Sequence, residues 1–227
     1  MNIKKIILGT AQLNSRYGIS NYSSIKKRKK EAFNFLDTAI DKGVNKIETA
    51  PSYNNEKLLG EFLKNYRFSK KIKIITKINS VSSFKNKFYK IFISLNESEK
   101  NLKQSIDTIL FHDVKDIDFF VKNFSAINKI QKLFNINTVG ASIYDLKHLK
   151  KIEELQHKLC IQLPINLIND TFANCKFKKN LIIHGRSLFS QGLLLNKKIK
   201  IKLSKKDKIK HNKYFEYLSL NNLNPLE

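Results

Sequence analysis

The stretch Ile47–Gly60, IETAPSYNNEKLLG, contains one complete unit of the fold that the sequence predicts. It begins within a short apolar run, passes through a Thr-Ala-Pro turn, and continues into a segment whose leucines have helical spacing. Between the two lies Tyr53, an isolated aromatic residue directly after the turn. One interpretation of this tyrosine is a packed aromatic side chain in a turn, and the other is a phenol that acts as an acid.

The same alternation of an apolar run and an amphipathic segment repeats along the chain. The apolar runs are short and rich in β-branched residues, which is typical of strands that are buried on both faces. About seven such runs are present: KKIILGT, NKIETA, KIKIITKI, DTILFHD, NTVGASIY, LCIQLPIN and NLIIHGRSLF. The region Lys87–Lys103 is predicted as a helix with loops, and Asp116–Phe134 as an amphipathic helix. Asp145 is the expected N-cap of a further helix.

Repeated strand–helix units of this kind predict an α/β protein whose parallel sheet is covered by helices. About seven strands in a single domain, residues 1–227, indicate a TIM (β/α)8-type barrel rather than a doubly wound sheet. Neither a Gly/Ser-rich linker nor a GxGxxG or GxxxxGK motif occurs. Chemistry in such barrels lies at the carboxyl ends of the strands. Those ends carry glycine or polar residues: Gly9-Thr10, Glu48 and Tyr53, Lys77, His112, Ser142, Gln162, and Arg186-Ser187.

The composition is that of a soluble globular protein, with 41% hydrophobic residues and no apolar run near the ~18 residues that cross a bilayer. The apolar part of the amino-terminal segment is about four residues long, too short for the core of a secretory signal. We therefore expect a cytoplasmic protein without a membrane span. Cys160 and Cys175 lack CxxC spacing and adjacent histidine pairs, so neither a disulfide framework nor a metal site is predicted.

The formal net charge of +24 suggests an alternative class, a basic module that binds nucleic acid or acidic polymers. The excess is lysine spread over most segments, with dense runs only at Ile25–Lys30 and Asn196–Lys210. Arginine, whose planar side chain reads bases, is scarce. No zinc-finger spacing or aromatic–basic stripe is present, so nucleic-acid binding is not the favoured prediction.

Four of the strand-end residues together fit the reduction of a carbonyl group. A phenol loses its proton near pH ~10, so Tyr53 needs help to act as a general acid. A buried lysine such as Lys77 lowers the pKa of a nearby phenol, and a carboxylate such as Glu48 can hold that lysine. His112 can donate an N–H that orients the carbonyl oxygen. Taken singly, each residue also has an ordinary structural interpretation, such as a satisfied core histidine or a surface ion pair.

The order of these residues resembles the aldo-keto reductase family. ETAPSYNNEKLLG is similar to the family signature of Asp-Thr-Ala, Tyr, Glu and Leu-Gly, and IITK resembles the strand of the catalytic lysine. SLNESEKNLKQSIDTILFHD resembles the helix and strand that deliver the histidine. VGASIYD, IQLPINLIND and RSLFSQGLLL resemble later strand ends, in the form seen among bacterial members associated with surface-sugar pathways. The resemblance extends from about Leu8 to Glu227.

This resemblance implies an oxidoreductase that reduces an aldehyde or ketone with NADPH. Tyr53 would donate the proton, assisted by Lys77, His112 and Glu48. The residues that would contact the cofactor are Gly9, Thr10, Ser142, Gln162, Arg186 and Ser187. In the family, the equivalents of Ser142 and Gln162 hold the nicotinamide carboxamide, the equivalent of Thr10 lies near the ribose, and those of Arg186-Ser187 lie beside the ring and pyrophosphate. The substrate would be a small carbonyl compound, and a sugar-derived one is an analogy with the surface-sugar members.

Three departures from the family pattern lie within the implied site. Glu48 replaces the family's aspartate and is one methylene longer, which changes the geometry of its contact with the lysine. The loop YNNE is one residue shorter than the usual Tyr-Gly-x-Ser-Glu, which is expected to shift the phenol. Arg186 replaces an aromatic that stacks on nicotinamide in many members, and a guanidinium can also stack.

The carboxyl-terminal segment is a fourth departure. NNLNPLE, ending at Glu227, resembles the start of the helix before the family's eighth strand, so we expect that strand and the final helices to be lacking. In the family this region binds the 2′-phosphate and adenine side of the cofactor. A barrel closes by pairing its last strand with its first, so open edges that invite self-association are expected at Ile6–Gly9 and Leu181–His184. The alternative function is therefore a truncated, catalytically inactive barrel fragment or pseudoenzyme.

Overall fold

The computed structural model describes residues 3–13, 29–67, 69–198 and 202–226, and the structural statements below concern these residues. The basic run Ile25–Lys30 lies largely outside them, as does part of the run Asn196–Lys210. The strands are β1 Leu8–Gly9, β2 Lys46–Glu48, β3 Lys73–Ile78, β4 Thr108–Phe111, β5 Thr138–Ser142, β6 Leu159–Pro164 and β7 Leu181–Arg186. The helices are α1 Lys29–Asp41, α2 Glu56–Asn65, α3 Lys87–Leu102, α4 Ile117–Lys122, α5 Phe124–Leu133, α6 Leu146–Glu153 and α7 Lys205–Leu220.

The strands form one seven-stranded sheet in which each strand pairs in parallel with the next one in the chain. Residues of β1 and β7 line the same cavity, so the sheet is curled toward a barrel rather than extended. The predicted fold class, an α/β barrel of the TIM (β/α)8 type that lacks the eighth strand, is thereby confirmed, and the seven strands form a curled half-barrel. Within the described part of the chain no eighth strand occurs, so β1 pairs only with β2 and β7 only with β6.

The main hydrophobic core lies between the outer face of the sheet and the helices. Helix α1 contributes Leu36, α2 contributes Leu59, and both pack near strand residues such as Ile47 and Ile74, all with no exposed surface. Full burial of one such side chain contributes about 1.5–3 kcal/mol before the entropy cost of ordering it. This layer fixes the strands, and with them the residues at the strand ends.

The inner face of the sheet carries a much smaller apolar layer. It consists of Ile75, Leu110 and Cys160, with Ile7 packed against them. Side chains alternate between the two faces of a strand, so the residues two positions before and after these also point inward. The inner face of the half-barrel is therefore apolar in the middle of the strands and polar toward both strand ends.

Two elements differ from the sequence prediction. The segment Asp116–Phe134 is not one helix, because it divides at Asn123 into α4 and α5. The Asn123 amide donates to Phe119 O at 2.9 Å, a side-chain bond to the backbone that competes with helix continuation. The first strand is also shorter than predicted, since Ile3–Lys5 forms a turn of 3-10 helix before it.

The predicted N-cap of α6 is confirmed. Asp145 caps α6 by accepting the backbone N–H of His148. Cys160 and Cys175 are both free thiols, one buried and one partly buried. No helix within the described ranges is long and apolar enough to span a bilayer.

Candidate active site

The carboxyl ends of β2, β3 and β4 bring together the side chains that the sequence analysis selected. Glu48 is the last residue of β2, Lys77 precedes the last residue of β3, and His112 follows β4. Tyr53 ends a short 3-10 turn, Pro51–Tyr53, that leaves β2 and returns over the strand ends. Parallel strands place these ends at one edge of the sheet, which is why residues distant in sequence meet there.

Lys77 connects the carboxylate and the phenol. Its Nζ donates to Tyr53 Oη at 2.7 Å and forms an ion pair with Glu48 Oε1. Tyr53 Oη also lies 3.4 Å from the same carboxylate oxygen. Glu48, although one methylene longer than the family's aspartate, therefore still reaches the lysine.

Burial determines the electrostatics of this group. The Lys77 side chain is 2% exposed. That burial, followed by the charge of the nearby Arg186 guanidinium, lowers the pKa of Lys77 to about 7. The ion pair with Glu48 favours the charged ammonium and opposes this shift. Below that pKa the lysine is a cation held beside the phenol oxygen, where a developing phenolate would be stabilised.

His112 stands at the other side of the phenol. The two rings are perpendicular, with centroids 6.2 Å apart. Burial first, and then the charges of Lys77 and Arg186, lowers the pKa of His112 to about 4, so the imidazole is neutral near pH 7. A neutral imidazole has one N–H to donate, which suits it to orient an oxygen without adding a charge.

Sequence reasoning missed a neighbour of this histidine. Ser52 Oγ lies 3.5 Å from His112 Nδ1. If Ser52 donates, the ring hydrogen is on Nε2, the nitrogen that then remains for a substrate. The only sequence signal was its position immediately before Tyr53.

Sequence reasoning also missed a buried polar network behind the site. Asn55 Nδ2 donates to Thr10 O at 2.6 Å, and Asn55 Oδ1 accepts from Thr49 Oγ1 at 2.7 Å. Thr10 Oγ1 in turn donates to Glu48 O at 3.0 Å. The three side chains Thr10, Thr49 and Asn55 have no exposed surface. They tie the end of β1 to the loop that carries Glu48 and Tyr53.

A second buried carboxylate, Glu56, anchors the helix that follows this loop. It accepts from Thr76 Oγ1 at 2.8 Å and from Ser98 Oγ at 3.2 Å, which ties α2 to β3 and α3. Burial raises the pKa of Glu56, and the hydroxyl donors oppose that shift. Its contacts are structural, since they face away from Tyr53 toward the next strand and helix.

A cavity of about 360 Å³ opens beside the phenol, between β1 and β7. Its walls include Glu48 and Tyr53 together with four of the residues implied in cofactor binding, Gly9, Gln162, Arg186 and Ser187. Gln162 Oε1 and Arg186 Nη2 are buried and have no hydrogen-bond partner among the described residues. Two residues of the cavity wall thus carry a buried acceptor and a buried donor whose hydrogen bonds are unmet within the described ranges.

The other residues implied in cofactor binding lie outside this wall. Ser142 ends β5 and pairs in register with Gln162, and its side chain is buried. The Thr10 hydroxyl is turned toward Glu48 O, so a contact of Thr10 with a ribose stays a prediction.

The Arg186 guanidinium, which lines the cavity, lies 4.2 Å from the centroid of the Tyr144 ring, and this contact fixes its direction.

Fold and site together define a parallel α/β half-barrel with a Tyr–Lys–Glu–His group at its carboxyl end. The chain matches the aldo/keto reductase family over residues 5–224 and belongs to that family. The family resemblance of the sequence is thereby confirmed.

Two further comparisons agree with this assignment. An uncharacterized oxidoreductase of Schizosaccharomyces pombe is 23% identical over 184 residues, which cover 74% of this chain and 63% of that protein. The chain thus spans less than two thirds of the length of this curated relative. Among solved structures, the glycerol dehydrogenase from Gluconobacter oxydans has a TM-score of 0.69 at 20% identity, covering 97% of this chain and 76% of that one.

A mutant protein solved in complex with NADPH is similar as well. Its TM-score is 0.63 at 17% identity, and the match covers 96% of this chain and 71% of that one. At these identities the solved structures show the fold.

Proposed function

We propose that this protein reduces an aldehyde or ketone with NADPH, using Tyr53 as the proton donor. The observation that carries the proposal is the contact of the Lys77 ammonium with both Tyr53 Oη and Glu48 Oε1. A structural tyrosine needs no buried cation at its hydroxyl, and burying a lysine is costly unless it is paired. Family membership supports the same class of reaction.

In this mechanism Tyr53 transfers its hydroxyl proton to the carbonyl oxygen of the substrate. The O–H bond of the phenol breaks, and the resulting phenolate is stabilised by the Lys77 ammonium at 2.7 Å. Glu48 keeps that ammonium in place by its ion pair. His112 donates its single N–H to the carbonyl oxygen and so directs that oxygen toward the phenol. Solvent returns a proton to Tyr53 after the alcohol leaves.

The nicotinamide cofactor supplies the hydride that reduces the carbonyl carbon. The cavity beside Tyr53 fits such a group, because Gln162 Oε1 and Arg186 Nη2 are buried there without partners in the described ranges. We propose that Ser142 and Gln162 hold its carboxamide and that Gly9 gives it room. Thr10, Arg186 and Ser187 complete the proposed set.

A second candidate, an inactive relative, is favoured by one observation. The cavity beside Tyr53 is bounded by β1 and β7, whose facing edges have no strand between them in the described part of the chain. A half-barrel of this kind could keep the catalytic group and yet fail to hold the cofactor. The two candidates differ in cofactor affinity rather than in the geometry around Tyr53.

Titration of the purified protein with NADPH, followed by cofactor fluorescence, separates the two candidates. We expect saturable binding that weakens when Gln162→Ala removes the unpartnered amide. Asn169→Ala, on the loop after β6, is the control and should bind as the original protein does. An absence of saturation at millimolar NADPH would contradict the enzyme function and support the inactive relative.

Three further expectations accompany the proposed reduction. The substrate is a small carbonyl compound, with a sugar-derived one proposed by analogy alone, and the location is cytoplasmic. We also propose self-association through the exposed edges of β1 and β7, since unpaired edges accept strands from other chains. Sedimentation that shows only monomer over a wide concentration range would contradict the self-association.

A further inference from the structure

A second cavity, of about 460 Å³, lies at the opposite end of the same strands. We call it the amino-end cavity, and its wall is formed by the first residues of β2 to β6 and by the inner side of β7. The charged or titratable side chains on this wall are Lys46, Lys73, Asp107, Lys158, Cys160 and His184. None of them belongs to the carbonyl-reducing group described above.

The register of the sheet explains why lysines collect there. Lys46 and Lys73 are paired residues of neighbouring parallel strands, so their side chains leave the sheet on the same side. Lys46 lies two residues before Glu48, and Lys73 lies four before Lys77, so both share the inward direction of the catalytic group. Lys158 has the same relation to Cys160, which is part of the inner apolar layer.

The charges on the wall do not balance. Among the described residues of the wall Asp107 carries the one carboxylate, and it is already bound by Lys73 Nζ at 3.3 Å and Asn137 Nδ2 at 2.9 Å. Lys46 and Lys158 form no ion pair with any described residue. Two ammonium groups thus face a concave space in which the described residues provide no counterion. A cleft lined by one sign of charge concentrates ions of the other sign.

The described residues of the wall fit neither a metal site nor a nucleophilic cysteine. No cluster of three or more His, Cys, Asp or Glu residues that could hold a metal occurs among the described residues. Cys160 Sγ lies 3.2 Å from His184 Nδ1, which at first suggests a nucleophilic pair. However, burial raises the pKa of Cys160 to about 12, and burial together with Lys46 lowers the pKa of His184 to about 4. The pair is therefore a neutral thiol and a neutral imidazole.

We propose that the amino-end cavity binds a small multivalent anion bearing phosphate or carboxylate groups, held between Lys46 and Lys158. Such an anion neutralises the two unpaired ammonium groups, and the imidazole of His184 and the hydroxyl of Thr138 on the same wall supply further hydrogen bonds. The volume lies within the usual range of small-molecule sites, about 300–1,000 Å³. The proposal does not rest on the reductase activity, although His184 lies between the two cavities and lines both.

Calorimetric titration with pyrophosphate and with citrate, at constant ionic strength in chloride, tests the site. We expect one saturable site for at least one of the two anions, and the tighter one identifies the preferred group. Saturation should also raise the melting temperature, because the anion binds the folded state alone. Binding without saturation would overturn the proposal.

Two double variants with the same change of charge make the test specific. In Lys46→Gln/Lys158→Gln we expect about 10- to 100-fold weaker binding, the worth of a hydrogen bond to a charged group. Lys132→Gln/Lys150→Gln, at exposed positions of α5 and α6, should bind as tightly as the original protein. Equal weakening in both variants would mean general attraction to a basic surface and would overturn the site.

A measurement on the unaltered protein does not depend on the folding of any variant. The imidazole resonances of His184 should shift as pyrophosphate or citrate saturates the protein. Because His184 also lines the cavity beside Tyr53, the resonances of His112, at that end, should stay in place, and a shift of both would put the anion beside Tyr53 and overturn the proposal. Those of His211, which is buried on α7 and bonded to Leu193 O at 3.1 Å, should stay in place. Saturable binding that leaves His184 unperturbed would place the anion elsewhere and overturn the proposal.

Discussion

The two ends of the half-barrel use the same residue type in opposite ways. At the carboxyl end Lys77 is 2% exposed and is held by both Glu48 and Tyr53. At the amino end Lys73, on the same strand and facing the same side, has a side chain that is 55% exposed. Chemistry in this half-barrel therefore follows from burial and from a partner within reach, since an exposed ion pair contributes little.

Removing the phenol's hydroxyl is the change with the largest expected effect at the carboxyl end. Tyr53→Phe should lower kcat by roughly 10²–10⁴-fold, the usual contribution of a general acid, and leave the Kd of NADPH nearly unchanged. Steady-state kinetics and fluorescence titration measure the two quantities. Tyr89→Phe, at an exposed position of α3, is the control and should change neither quantity. Equal losses of kcat and cofactor affinity in Tyr53→Phe would indicate that Tyr53 is structural.

The buried network behind the carboxyl end should account for part of the stability. Asn55→Ala leaves Thr10 O and the Thr49 hydroxyl without their partner, so the free energy of unfolding should fall by about 1–3 kcal/mol. Urea denaturation measures the change. Asn65→Ala, at the exposed end of α2, should stay within about 0.5 kcal/mol of the original protein. A smaller loss in Asn55→Ala than in Asn65→Ala would refute a stabilising network.

The state of Lys77 should appear in the pH dependence of the reaction. Its pKa is lowered from 10.5 to about 7, so the ammonium, and with it kcat, should decline as the pH rises through that value. Arg186→Gln removes a repelling charge and should move this limb to higher pH. Arg67→Gln, exposed beyond α2, should leave it in place. If the decline of kcat occurs at the same pH in Arg186→Gln, a group other than Lys77 causes it.

The lowered pKa of Lys77 also makes the free energy of unfolding depend on pH. Between pH of about 7 and 10.5 the unfolded chain holds the Lys77 proton and the folded chain does not. The contribution of Lys77 to the free energy of unfolding therefore rises with pH over that interval. In Lys77→Met this part of the slope should vanish, and an unchanged slope would contradict the lowered pKa.

The smallest expected effect concerns the length of the carboxylate. Glu48→Asp restores the family's residue type at the end of β2, and kcat should be unchanged or slightly higher. The reason is that the family's aspartate contacts the lysine with a side chain one methylene shorter than Glu48. A collapse of the rate, measured with the same carbonyl substrate, would show that the loop Pro51–Asn55 has adjusted to glutamate.

Much of the fold could be predicted because its signals are local. Buried parallel strands are short β-branched runs, and the parallel order then brings the residues after them to one edge. That reasoning placed Glu48, Lys77 and His112 at one end without any contact information. It failed at Asn123, where a side-chain bond to Phe119 O divides a segment whose apolar spacing fits one continuous helix.

The rest of the site depends on contacts that no local pattern carries. Asn55 and Glu56 are ordinary polar residues in the sequence, and only the folded chain buries Asn55 beside Thr10 and Glu56 beside Thr76 and Ser98. The amino-end cavity was missed for a similar reason. Lys46 and Lys73 are far apart in the chain, and the strand register makes them neighbours.

By itself, the sequence determined the alternation of strands and helices, the family, and the residue types at each strand end. It placed Lys77 at a strand end, but among the 43 lysines and arginines it could not show which side chain is buried beside a carboxylate. The tertiary structure made that choice by enclosing one ammonium group between a carboxylate and a phenol and leaving others in contact with water. Burial and distance between remote residues set the pKa and the partner of a side chain, and both arise only when the strands are assembled.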